Sequence, residues 1–140
     1  GLRGLNARLL RTLPCSEVAD RLAALDVGGG AAFWTAVRGN LTVLADAKDW
    51  WGVVSGKVTP VIEDAELTSA GAQLLPQEPW DDTMWDVWIS ALKAASGRKG
   101  RALFHPLRLA LTGREDGPEL KALLPLIGRE KATLRLTGKE

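Results

Sequence analysis

Residues 98–120 read RKGRALFHPLRLALTGREDGPEL, and their spacing decides between strand and helix. At about 100° per residue, Arg101, His105, Arg108 and Thr112 fall on one narrow stripe, with Leu103, Leu107, Ala110 and Leu111 opposite. That is the pattern of a helix that packs on its leucines and turns its cations outward. Pro106 interrupts it, because a proline deep in a helix costs about 3 kcal/mol and suits only the first turn. Either the helix runs through the proline, or it begins near Pro106 and leaves Arg98 to Arg101 as a flexible basic loop. Arg108 sits near an accessible end in both versions. After Gly113 comes a glycine-bounded loop, and Gly117-Pro118-Glu119-Leu120 reads as the start of another helix with proline in its first position. A helix start presents unpaired backbone N–H groups, and glycine there lets a flat partner approach the main chain. An arginine nine residues earlier supplies a planar fork that fits a base edge. Splayed bases of single-stranded RNA are read in this manner.

Working outward, the same 3.6-residue period recurs and no stretch alternates polar and apolar residues as a half-buried strand does, so the expected fold is all-α. Leu5, Leu9, Leu10 and Leu13 mark one helix closed by Pro14; Val18, Leu22 and Leu25 mark a second that starts after Ser16. Gly28-Gly29-Gly30 reads as a hinge without the spacing of a nucleotide fingerprint. Ala32 to Arg38, Leu41 to Val54 and Glu63 to Leu75 read as helices, the first two separated at Gly39-Asn40. Pro76 to Pro79 is the clearest internal boundary and divides the chain into two packed helical subdomains, 1–75 and 76–140. Beyond it, Asp81 is expected to cap a helix with Trp80 and Trp85 as a hydrophobic staple, and Gly97 to end that helix. The chain has six tryptophans and no tyrosine. Trp85 and Trp88 recur at helical spacing beside Ile89 and Leu92, the signature of core rather than of base-stacking platforms, and Trp34, Trp50, Trp51 and Trp80 are read as core too.

Composition narrows the function. The 140 residues are 46% apolar and 25% charged, with 18 Lys and Arg against 17 Asp and Glu, the make-up of a soluble globular domain. Cys15 and His105 are the only cysteine and histidine, so a disulfide framework, a zinc cluster and a Cys₄ iron centre are excluded within one chain. No apolar run approaches the roughly 20 residues of a membrane span, the first residues carry charges where a signal peptide is apolar, and a cytoplasmic protein is expected. The start at Gly1, inside a helical pattern, suggests a piece of a longer protein. Charge is segregated along the sequence: Thr59 to Asp86 holds seven acids (Glu63, Asp64, Glu66, Glu78, Asp81, Asp82, Asp86) and no Lys or Arg, whereas Val87 to Arg114 holds six bases and no acids. Those bases, Lys93, Arg98, Lys99, Arg101, Arg108 and Arg114, form a candidate phosphate-facing surface, unless the two blocks fold against each other and neutralise internally. No catalytic constellation is legible. His105 precedes Pro106 without a nucleophile motif nearby and reads as a partly exposed histidine at a helix start, and the acid pairs Glu63/Asp64 and Asp81/Asp82 are adjacent, so they diverge on a helix.

FWTAVRGNLTVLADAKDWW (33–51), EPWDDTMWDVW (78–88) and KAASGRKGRALFHPLRLALTGREDGPELKALLPLIGRE (93–130) resemble the C-terminal, anticodon-binding part of bacterial glutamyl-tRNA synthetases, class I aminoacyl-tRNA synthetases. The most specific portion is PLRLALTG followed by GPEL and LLPLIG, Pro106 to Gly128. The resemblance implies an α-helical cage that grips the anticodon arm of tRNA(Glu), in a polypeptide whose N-terminal catalytic domain performs the ligase chemistry with ATP and Mg. The HIGH and KMSKS-type motifs of that domain are absent from these residues, so no catalytic residue, metal or cofactor is expected here. Carried onto this chain, the resemblance assigns anticodon contacts to Arg108, Gly117, Pro118 and Leu120, with Arg38 of AVRGN as a reader in the first subdomain. At the position of Gly117 the family also carries threonine, so here backbone contact alone remains. Lys93, Arg98, Lys99, Arg101 and Arg114 are assigned to phosphates. The competing reading is a helical protein-interaction module with no nucleic-acid role.

Overall fold

The computed structural model describes residues 7–140. Among them are nine α-helices, one 3₁₀ turn and no strand, the all-α class that the periodicity implies. The helices are α1 (Ala7–Leu10), α2 (Cys15–Ala24), α3 (Gly30–Val37), α4 (Asp46–Ser55), α5 (Ala65–Leu74), α6 (Met84–Ser96), α7 (Arg101–Thr112), α8 (Leu120–Ile127) and α9 (Arg129–Leu136). The 3₁₀ turn is Arg38–Asn40. Leu5 lies outside the described residues. The chain divides into two compact units, Gly1–Gly56 with Gly117–Leu126 and Lys57–Asp116 with Ile127–Glu140. The division therefore falls at Gly56, and the expected boundary at 75/76 lies inside the second unit. Pro76 to Pro79 merely joins α5 to α6, which pack on each other.

In the first unit α3 packs on α2 and α4. Phe33, Trp34 and Val37 of α3 are buried with Val18 and Leu22 of α2 and Ala47, Trp50, Val53 and Val54 of α4. Helix α2 begins at Cys15, not after Ser16. Pro14 in extended geometry already supplies the first carbonyl, which accepts from Glu17 N at 3.0 Å. Helix α4 begins at Asp46, five residues later than the apolar pattern implies, because Asp46 Oδ2 accepts from Thr42 N (3.0 Å) and Val43 N (3.2 Å) and folds that segment into turns. The glycine run has a packing cause. A Cβ on Gly28 or on Gly29 (φ +82°) would approach the Trp51 indole to 2.8 Å, so the ring lies where side chains would be. Phe33 meets the same indole edge-on at 5.3 Å.

In the second unit α5 packs on α6, α7 and α9, and α9 on α7. Leu67, Trp88, Leu92, Leu103, Leu107 and Leu111 are inaccessible to solvent. Asp64 caps α5 by accepting from Leu67 N at 3.2 Å, and Trp88 Nε1 donates to Gly71 O at 2.9 Å, satisfying both buried groups. Helix α7 runs through Pro106, so the version that begins at the proline does not occur. The buried proline ring and the leucines around it offset the lost hydrogen bond. The outward stripe of α7 is only partly outward, since Thr112 is buried with its hydroxyl donating to Arg108 O at 2.8 Å. His105 sits within α7, not at its start, with Nε2 3.6 Å from Glu63 Oε2. Nor is Asp81 the cap of α6: Thr83 precedes that helix, and Asp81 Oδ1 accepts from Thr83 N (2.9 Å) and Oγ1 (2.6 Å). Instead of forming a staple, Trp80 donates to Pro76 O at 2.9 Å and Trp85 stacks on Phe104 at 6.4 Å. Trp34, Trp50 and Trp88 are core as expected, whereas Trp51, Trp80 and Trp85 keep partial exposure.

Candidate nucleic-acid interface

Arg108 projects from α7 half-buried. Burial pushes its guanidinium below its ordinary value, and the Asp116 carboxylate opposes that shift; an arginine so placed remains a cation at neutral pH. The loop that follows is fixed by Thr112, whose hydroxyl receives Arg114 N at 3.1 Å, and by Gly113, which closes α7 at φ +71°. A Cβ on Gly113 would come within 3.0 Å of Thr59 O.

The phosphate candidates of this unit differ in circumstance. Lys93, Lys99, Arg101 and Arg114 are exposed. The Lys93 ammonium stands 6.0 Å from the centre of the Phe104 ring. Arg98 is held within the protein: Nε lies 2.7 Å and Nη2 3.4 Å from the two oxygens of Asp64, Glu66 follows at 4.0 Å, and Nη1 donates to Ser96 O at 3.3 Å. With His105 beside Glu63, the acidic and basic blocks thus meet at the start of α5, and internal neutralisation accounts for part of the charge segregation.

The remaining candidates belong to the first unit. Arg38 Nη1 donates to Leu13 O at 2.9 Å, and the same carbonyl receives Trp34 Nε1 at 2.6 Å, so this arginine ties the α1–α2 turn to the 3₁₀ turn. In the Gly117–Leu120 corner, Pro118 and Leu120 are buried, whereas Gly117 is half-buried and Glu119 exposed. Helix α8 begins two residues after Pro118, not at it, and Glu119 O accepts from Ala122 N and Leu123 N at 3.1 Å each. The flat group against Gly117 belongs to the protein itself: the indole of Trp50, whose Cζ2 would lie 2.7 Å from a Cβ there. An open groove of about 520 Å³ runs between α3 and α8, lined among others by Gly39, Asn40, Glu119 and Pro125. It thereby adjoins the chain neighbours of both Arg38 and Pro118. Sequence reasoning missed Trp50, since nothing in the local pattern links α4 to a glycine beyond α7. It also missed Asp116 as the carboxylate facing Arg108.

An all-α module with basic residues on α6, α7 and the loop between them, and a half-buried arginine on α7, is the class this fold defines. The family model of the anticodon binding domain matches residues 57–138, from the first residue of the second unit onward, and the chain belongs to this family. It is 59% identical over 139 residues to glutamate–tRNA ligase 2 of Beijerinckia indica subsp. indica, covering 98% of this chain and 31% of that protein. To glutamate–tRNA ligase 2 of Methylorubrum populi it is 55% identical over 140 residues, 99% of this chain and 31% of that protein. The chain thus spans just under a third of the length of these curated relatives. The fold is shared with a crystal structure of a glutamate tRNA ligase from Elizabethkingia meningosepticum in complex with its amino acid, at a TM-score of 0.73 and 18% identity over 94% of this chain and 30% of that one.

Proposed function

We propose that this chain is the anticodon-binding part of a cytoplasmic glutamate–tRNA ligase, which holds the anticodon loop of tRNA(Glu) while a catalytic domain on the same polypeptide charges the acceptor end. The observation that carries this reading is Arg108. Its guanidinium is partly withdrawn from water, faces the Asp116 carboxylate, and is mounted on a helix whose neighbouring cations are exposed. Partial desolvation strengthens a forked hydrogen bond to a base edge, because less water competes for the donors. Lys93, Lys99, Arg101 and Arg114 supply sequence-independent attraction to phosphates, and backbone N–H groups of the Gly117–Leu120 corner supply shape. Arg38 is bound to Leu13 O through one of its donors and contributes through the others. ATP and Mg belong to the catalytic domain. Among the described residues no three His, Cys, Asp or Glu side chains gather to hold a metal ion, and no helix is long and apolar enough to cross a membrane.

In the full-length ligase, Arg108→Ala reduces discrimination between the glutamate anticodon and altered anticodons by about 1–3 kcal/mol, roughly 5- to 150-fold. The measurement is the ratio of kcat/KM for tRNA transcripts that differ in one anticodon base. An unchanged ranking of those transcripts refutes the role of Arg108.

A further inference from the structure

We infer that Trp50 is a positioning residue for the Gly117–Leu120 corner, an inference that rests on reading this corner as an RNA contact. Trp50 stands in α4 with 7% of its surface exposed, beside buried Ala47, Val53 and Val54. Its six-membered ring lies on the face of Gly117 that a side chain would occupy. A Cβ built there collides with Cη2 and lies 2.7 Å from Cζ2 and 3.1 Å from Cζ3. A buried indole has few alternative rotamers, so it is a rigid floor for the glycine.

The rest of the corner is clamped with it. Pro118 has a fixed φ and is buried, Leu120 is 5% exposed, and Glu119 O is already committed to Ala122 N and Leu123 N. What remains open is half-buried Gly117 with exposed Glu119 and Lys121 at the start of α8, where the first N–H groups of a helix have no intrahelical partner. Their height above α4 is set by the thickness of one indole. A smaller residue at 50 lets the corner settle inward, and any side chain at 117 forces it outward. Displacements of about half an ångström suffice to degrade a hydrogen-bonding constellation. Trp50 therefore acts on base discrimination without touching RNA.

Trp50→Phe withdraws the outer ring carbons and keeps an aromatic ring in α4, while Gly117→Ala adds the colliding Cβ. In the full-length ligase each single variant lowers the kcat/KM ratio between glutamate and altered anticodons by about tenfold, the scale of one lost base contact. The double variant recovers most of that loss, because the shortened ring makes room for the Cβ. KM for tRNA carries the change, and kcat at saturating tRNA stays within about twofold. Circular dichroism and thermal unfolding check that each variant is folded, and Trp50→Leu replaces Trp50→Phe if the latter is not. The inference is overturned if the single variants weaken both tRNAs equally, or if the double variant is no better than the sum of its parts. Arg108→Ala in the same assay separates the two levels. If it alters the ranking while the Trp50 and Gly117 variants do not, Trp50 has no positioning role. If none of them does, the reading of the site as an RNA contact falls as well.

Discussion

Replacing Lys99 and, separately, Arg98 by alanine distinguishes two uses of positive charge at adjacent positions. Lys99 is exposed. If it neutralises one phosphate, its loss reduces the slope of log affinity against log salt by about 0.9 on a duplex region and about 0.7 on a single-stranded one. Raising salt fourfold, from roughly 50 to 200 mM, then weakens the variant less than the parent by a factor of about 3. Arg98 differs because its fork is occupied by Asp64, at 2.7 and 3.4 Å, and that same carboxylate caps α5. The two side chains are 29% and 24% exposed, so the pair is worth more than a surface ion pair and less than a buried one, about 1–2 kcal/mol. Arg98→Ala therefore lowers stability by about that amount and leaves the salt slope nearly unchanged. Fluorescence anisotropy of labelled tRNA across a salt series gives the slopes, and urea denaturation followed by circular dichroism gives the stability. A loss of slope in Arg98→Ala equal to that in Lys99→Ala, with no loss of stability, refutes the distinction.

Two further perturbations test the structure itself. Arg135 is fully buried, with Nε 2.8 Å from Glu140 Oε1 and Nη1 donating to Leu111 O at 2.9 Å, while the same Glu140 oxygen accepts from Val58 N at 2.9 Å. Arg135→Ala strands that carboxylate and lowers stability by about 3–5 kcal/mol, whereas a paired replacement of both residues by methionine recovers part of the loss, the remainder being the bonds to Val58 N and Leu111 O; equal urea midpoints for the single and paired variants contradict this. The Asp81 carboxyl titrates below its ordinary 3.8, chiefly because the Thr83 hydroxyl and then the Thr83 N–H donate to its ionised form. A folded value below the unfolded one means that this stabilisation is present above the unfolded value and is lost as pH falls through the folded one. Thr83→Val raises the midpoint seen by carboxyl NMR, and an unmoved midpoint refutes the hydroxyl's role.

How much was legible in advance follows from which interactions are local. Helix type, the closing glycines Gly97 and Gly113, and the leucine face of α7 are local consequences of spacing and appear as expected. Helix starts were less legible, because Asp46 and Asp81 spend their carboxylates on turns ahead of α4 and α6, where the pattern had implied an earlier helix start and a helix cap. The continuation of α7 through Pro106 depends on burial supplied by α5 and α9, which no local rule contains. In the candidate site, the cationic run that includes Arg108 is evident from charge and pattern. The capture of Arg98 by Asp64 was legible only as an alternative, and the Trp50 floor beneath Gly117 not at all, since sequence distance hides it.

The first unit is not contiguous: Gly1–Gly56 is completed by Gly117–Leu126, which return from beyond the second unit's first segment. During synthesis from the N-terminus, the ribosome must pass Leu126 before α8 can reach its place, so residues 57–116 emerge while the earlier unit still lacks its last helix. The chain is thereby laced in order: the unit begun first cannot be finished until most of the second has been made. A cut after Gly56 would separate two lengths of polypeptide without separating two foldable bodies.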